Sequence, residues 1–273
     1  MPRLWLVVLL SILIIFSNTG CNRTRVEKNN PETELIVFAA ASLTEVFTEI
    51  ARQFEADNPG VTVILNFAGS QQLAHQLSQG APADVFASAN DRQMSAAIQT
   101  GRVREGSQQI FAKNKLVIII PIDNPANIHT LSDLARADQR LILAAPEVPA
   151  GQYAQSFLQA AAADPAFSLE FYAGVVDNIV SYEENVRAVL SKVRLGEADA
   201  GIVYASDVWS DMISQLDTIE IPDRLNQVAS YPIAPIKNSS QPELAHAFIN
   251  LVLSNRGQQL ISSFGFTPIA IVE

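Results

Sequence analysis

One junction constrains the fold of this chain more than any other feature. An apolar run from Leu35 breaks at Ser42, and a helical pattern begins at once. Leu43, Val46, Phe47, Ile50 and Phe54 recur at three- and four-residue spacing, which places them on one helix face. Ser42 with Glu45 three residues on reads as a capping box, so Ser42 is expected at the helix N-cap. A buried strand that ends on a serine-capped helix gathers free backbone N–H groups and a hydroxyl at one point. That combination suits an anion.

The same alternation runs down the chain. Val61–Phe67 precedes a helix at Gln71–Gln79, and Asp84–Ser88 precedes one at Asp91–Gln99. Such a βαβ series predicts an α/β fold with mostly parallel sheets. An apolar stretch, Leu116–Ile120, stops at Pro121, and a short helix follows near Leu131–Arg136. Next come a strand at Leu141–Ala145, a helix at Gln152–Ala163, a polar helix near Glu184–Val193 and a strand at Asp199–Tyr204. Another helix is expected from about Asp207, then an extended stretch at Val228–Ile236 and helices at Pro242–Leu253 and Gly257–Phe264. Two lobes joined by crossovers near 112–116 and 228–233 fit this order.

The N-terminus has the parts of an export signal. Arg3 precedes an apolar run, Leu4–Phe16, then small and polar residues up to the single cysteine, Cys21. That run is shorter than the roughly 20 residues a bilayer-spanning helix needs. The stretch resembles a lipobox, so residues 1–20 are expected to be a signal peptide and 21–33 a tether lipid-anchored through Cys21. An ordinary cleaved signal with a stray cysteine is the plainer alternative. Residues 1–20 carry Arg3 and no acid, so the remaining 253 residues hold 17 basic and 28 acidic side chains, a net charge of −11. Such an acidic chain argues against nucleic acid or an anionic membrane surface as partner. One cysteine excludes an internal disulfide and thiolate metal clusters.

Three further strand-to-helix junctions carry small or polar residues. Ser70, after Phe67-Ala68-Gly69, is expected to cap the second helix. Ala145-Pro146-Glu147-Val148-Pro149-Ala150-Gly151 opens the helix at Gln152, with Gly151 allowing close backbone approach. Glu183-Glu184-Asn185-Val186 opens another, and Tyr204 ends a strand where it can turn its hydroxyl outward. In open α/β sheets, ligands bind where strand C-termini meet helix N-termini. Converging junctions of this kind would offer neutral hydroxyl and amide donors.

Motifs in the same order resemble the periplasmic molybdate-binding proteins of ABC importers. They are F-A-A-A-S-L-T at 38–44, F-A-G-S-Q-Q-L-A at 67–74, G-A-P-A-D-V-F-A-S-A at 80–89, V-P-A-G-Q-Y-A at 148–154, E-N-V-R-A-V-L at 184–190 and G-I-V-Y-A-S-D at 201–207. Phe264-Gly265-Phe266-Thr267 resembles that family's C-terminal motif, so the likeness runs from about Glu34 to Thr267. It implies the type II periplasmic-binding-protein topology, with 34–113 and 232–273 in lobe 1, 114–231 in lobe 2 and the ligand between them. By position, Ser42, Ser70, Ala150, Val186 and Tyr204 would hold the oxyanion. Ser42, Ser70 and Tyr204 would give hydroxyls; Ser42, Ser70, Ala150 and Val186 would give backbone N–H groups. Ser70 lies between Gly69 and Gln71 where a serine run is common, and 164–178 adds length.

The resemblance further implies an exported, monomeric binding protein that delivers molybdate, or tungstate, to permease subunits, with no catalytic residue and no cofactor. Molybdenum would be present only as the bound oxyanion. Rival readings are a binder of sulfate or another tetrahedral oxyanion, and a secreted α/β hydrolase with Ser42 as nucleophile. The second lacks the G-x-S-x-G elbow. His75, His129 and His246 lie on separate elements, Asp84 reads as a cap or hinge, and Glu147 is expected to point away from an anion. Arg187 could contact the ion, but it is expected to pair with Glu183, Glu184 or another acid on the surface.

Overall fold

Apolar strands flow into amphipathic helices as the periodicity predicts. The computed structural model describes residues 33–167, 169–208 and 214–269, which fall within one compact unit, Glu32–Glu273. The expected signal peptide and Cys21 lie outside the described residues, as does the expected tether apart from Thr33.

The elements in chain order are β1 (Thr33–Ala40), α1 (Thr44–Asp57), β2 (Val61–Ala68), α2 (Ser70–Ser78), β3 (Val85–Ala87), α3 (Asp91–Gln99), β4 (Gln109–Asn114) and β5 (Leu116–Pro121). Then follow β6 (Leu141–Ala144), α4 (Pro149–Ala163), α5 (Leu169–Asp177), β7 (Ile179–Glu183), α6 (Val186–Arg194) and β8 (Ala200–Tyr204). The chain closes with β9 (Leu216–Glu220), β10 (Ala229–Pro235), α7 (Pro242–Leu253), α8 (Asn255–Ser263) and β11 (Thr267–Pro268). Single 3₁₀ turns occupy Ala41–Leu43, Leu131–Ala135 and Ala205–Asp207. The helix expected from about Asp207 falls mainly on 209–213, which lie outside the described residues.

Among the described residues the strands form two sheets, ordered β11-β4-β10-β3-β1-β2 and β7-β6-β8-β5-β9. Each makes the centre of a lobe. Pairing is parallel within the βαβ units, β1 with β2 and β3, and β6 with β7 and β8. It is antiparallel where β10 and β5 join. The sheets are therefore mixed and not mostly parallel as expected, because a strand arriving from the other lobe enters running the opposite way. The chain leaves the first sheet between β4 and β5 and returns to it at β10.

Strand β1 shows how the first lobe is packed. Successive side chains point to opposite faces. Leu35, Val37 and Ala39 join one buried cluster with α1 and α7, whereas Phe38 joins Leu73, Leu77, Phe86 and Met94 under α2 and α3. On the first face Phe47 meets Phe111 and Phe248 with ring centroids 5.6 and 5.9 Å apart. Asp84 ties this lobe together: its carboxylate accepts from the Ile36 N–H at 2.8 Å and the Ser239 hydroxyl at 2.6 Å. That is the structural role its place before β3 suggests. Among the described residues no helix is long and apolar enough to cross a membrane.

Candidate functional site

The strand ends of both lobes face a shared cavity. Its walls are Ala40, Ala41, Ser42, Gly69, Ser70, Ala89, Val148, Pro149, Ala150, Asn185, Val186 and Tyr204. Ser42, Ser70, Ala150, Val186 and Tyr204, which lie up to 162 residues apart, thus meet at one place. Its free volume is about 20 Å³, far below the roughly 300–1,000 Å³ of pockets for drug-sized ligands. Only a small solute fits.

Four helical starts aim at this space. Ser42 lies in the 3₁₀ turn that leads into α1, Ser70 opens α2, Ala150 is the second residue of α4, and Val186 opens α6. The first N–H groups of a helix have no partner inside it, and the helix dipole makes that end electropositive. In α4 the first position is Pro149, which has no N–H, so Ala150 offers the first donor. Asn185 caps α6, its side-chain oxygen accepting from the Ala188 N–H at 3.0 Å.

Two capping assignments are corrected. Ser42 does not cap α1; Leu43 holds that position and no side chain caps it. The Ser42 hydroxyl instead shares a 3.1 Å hydrogen bond with the Tyr231 hydroxyl. Ser70 is the first residue of α2, not its cap: Gly69 is the N-cap, and Gln72 reaches back to accept from the Gly69 N–H at 3.0 Å. The Ser70 oxygen accepts from the Ala89 N–H at 3.0 Å. A serine whose oxygen is occupied by a backbone donor still has its own hydrogen to give, so this bond orients the hydroxyl without consuming it.

Tyr204 does not turn its hydroxyl to solvent. It is 1% exposed, enclosed edge-on by Tyr153 and Tyr231 at 6.4 and 5.7 Å, and lines the cavity. Its hydroxyl lies near that of Tyr231 but makes no hydrogen bond of good geometry among the described residues. A buried, unpaired hydroxyl costs free energy, so such a group at a cavity wall is poised to donate to whatever enters. Burial above all, then the neighbouring tyrosines and Asp207, pushes its pKa well up, so it remains a proton donor at neutral pH.

The cavity wall includes no lysine, arginine, aspartate or glutamate. Glu147 is exposed and takes no part in it. Arg187, beside Val186, does not pair with Glu183 or Glu184: Glu183 holds Lys192 at 2.7 Å and Glu184 receives Gln72 at 3.0 Å. Arg187 pairs with another acid, as expected: it holds Glu45 of α1 and lies 3.7 Å from the buried carboxylate of Asp207. Burial pushes Asp207 up to about 7, with Arg187 and the Tyr204 N–H opposing it. His75 lies on α2, His129 before the Leu131–Ala135 turn, and His246 on α7. None borders the cavity.

Sequence reasoning missed Tyr231, which backs Ser42 from β10, 189 residues away. It also missed Asn185, although an Asn before a helical run is a readable cap signal.

Comparison with known proteins agrees with this architecture. The chain matches the bacterial extracellular solute-binding protein family over residues 35–267. It is 40% identical over 232 residues to the molybdate-binding protein ModA of Mycobacterium tuberculosis, covering 85% of this chain and 84% of that one. The sulfate-binding protein SubI of M. tuberculosis superposes with a TM-score of 0.78 at 19% identity, covering 87% of each chain. The periplasmic molybdate-binding protein of Azotobacter vinelandii does so with a TM-score of 0.74 at 20% identity, over 86% of this chain and 100% of that one. At such identities these two structures speak for the fold alone. A family match that spans both lobes, with a 40%-identical relative beside it, means that this chain belongs to the bacterial extracellular solute-binding proteins.

Proposed function

We propose that this protein captures molybdate, and tungstate with it, outside the cytoplasm and delivers it to an ABC importer. The observation that carries the reading is the cavity wall itself: helical starts and three hydroxyls, with no charged side chain of either sign. A tetrahedral dianion recovers its lost hydration there through charge-assisted hydrogen bonds, each contributing about 1.5–3 kcal/mol. No wall carboxylate offers an acceptor for a protonated phosphate. The 40%-identical relative named as a molybdate-binding protein supports the same ligand. Without a cation in the shell, selectivity comes from cavity size and donor geometry. Sulfate is smaller and would leave donors stretched.

In this role Ser42, Ser70 and Tyr204 give hydroxyls, while Ser42, Ser70, Ala150 and Val186 give N–H groups. The protein performs no chemistry; with no histidine or carboxylate at the cavity wall to act as a base, the hydrolase reading is the poorer one. Its work is to favour the closed pair of lobes, the form a permease would recognise. It acts as a monomer, held at the extracytoplasmic face of the cell membrane through a lipid on Cys21; intact mass of the mature N-terminus tests the anchor. Isothermal titration with molybdate, then sulfate competition, tests the ligand. One-to-one binding that excess sulfate does not displace supports the proposal. Equal affinity for sulfate, or no binding by the folded protein, overturns it.

A further inference from the structure

An ion-pair cluster lies beside the cavity without bordering the ligand space. Arg187 is the second residue of α6, next to Val186. Its guanidinium pairs with Glu45, in the first turn of α1 and in the other lobe. It also lies 3.7 Å from Asp207, in the 3₁₀ turn that follows Tyr204. Asp207 in turn accepts from the Tyr204 N–H at 3.0 Å. One side chain thus touches acids on the elements that follow Ser42 and Tyr204, while its own backbone adjoins Val186. Arg187 and Glu45 are only 23% and 26% exposed, so water screens their attraction less than at an open surface.

The start of α6 is docked by a second set of bonds. Gln71 donates to the Glu184 carbonyl at 2.8 Å and Gln72 to the Glu184 carboxylate at 3.0 Å, both across the lobes. Gly69 permits this approach, since a Cβ there would stand 2.7 Å from the same carbonyl. On the far rim the crossing bonds are uncharged at the donor: Asn90 to Gln152 at 3.0 Å and Gln93 to the Glu147 carbonyl at 3.2 Å. Of these crossings, only Arg187 with Glu45 joins two opposite charges.

We propose that Arg187 is a positioning residue, a latch that holds α6 against α1 and so sets how long the cavity stays closed over its anion, without touching that anion. The inference rests on the proposed function for the identity of the anion. The contact with Glu45 keeps the lobes together, and the looser one with Asp207 keeps the Tyr204 turn in line with Val186. Neutralising one member of a partly buried cross-interface pair acts mainly on dissociation.

The test compares the full exported protein with Glu45→Gln, Arg187→Gln and the double variant. Glu45→Gln is the primary variant, because it leaves Arg187 in place opposite buried Asp207. Small-angle scattering of the ligand-free proteins reads closure, and stopped-flow displacement of molybdate reads dissociation. The latch predicts a larger radius of gyration for ligand-free Glu45→Gln, and molybdate dissociation about tenfold faster with association nearly unchanged. The double variant should be no worse than Arg187→Gln alone. Unchanged scattering and unchanged dissociation in a folded Glu45→Gln protein would overturn the latch. If the wild type binds no molybdate, the proposed function fails, yet the scattering comparison still decides the latch.

Discussion

Tyr204→Phe separates a ligand-holding hydroxyl from a structural one by sign. The substitution keeps the ring and its edge-on contacts with Tyr153 and Tyr231. It deletes a hydroxyl that is buried and, among the described residues, unpaired. Leaving such a group unsatisfied costs about 1–3 kcal/mol, so its removal should stabilise the ligand-free protein, or leave it level where water in the cavity shares the bond. For a domain of this size each kcal/mol moves Tm by roughly 2–4 °C. Affinity should move the other way. Losing one charge-assisted donor of about 1.5–3 kcal/mol weakens molybdate binding roughly 10- to 150-fold. Differential scanning calorimetry without ligand gives the first quantity, and isothermal titration the second. A ligand-free Tm that falls while the dissociation constant stays put would refute the reasoning, because the hydroxyl would then be bonded within the fold and idle at the site.

Ser42→Ala should behave differently: its hydroxyl is already bonded to Tyr231, so we expect about 1 kcal/mol lost from stability, read by urea titration, in addition to weaker anion binding. Gly151→Ala places a Cβ 2.1 Å from the Ala145 carbonyl oxygen; α4 must shift, costing about 1–3 kcal/mol in the same titration and moving the Ala150 N–H off its aim. Asp207 gives a pH signature. Its folded pKa is raised from 3.8 to about 7, so its contribution is whole below pH 3.8 and is lost as pH rises towards 7. At about 1.36 kcal/mol per pH unit, that interval costs about 4 kcal/mol. Asp207→Asn should remove this slope, and parallel stability-against-pH curves for the two proteins would count against it.

How far the sequence could be read depended on the range of the forces involved. The strand-to-helix junctions at Ser42, Ser70, Ala150 and Val186 were legible because hydrophobic period and turn chemistry act over a few residues. Helices α3 and α7 lie at the expected residues for that reason. The strands β9 and β7 were not foreseen. At the edges of the second sheet they carry exposed Asp217, Glu220, Val180 and Tyr182, and an edge strand need not show a buried pattern. Helix α5 was read only as added length, with no element assigned, since Phe171 and Val175 alone are buried in it.

The cap assignments erred because a serine's bond is chosen by whatever the fold brings near. Ala89 and Tyr231 reach Ser70 and Ser42 from 19 and 189 residues away. By itself, then, the sequence determined the alternating elements, the helix starts and, through its resemblance, the residues that should meet. Only the tertiary structure decided that Tyr204 is buried with its hydroxyl unpaired. It alone placed Tyr231 behind Ser42 and gave Arg187 an acid on each lobe, because such contacts depend on chain closure across the cleft, which local spacing does not encode.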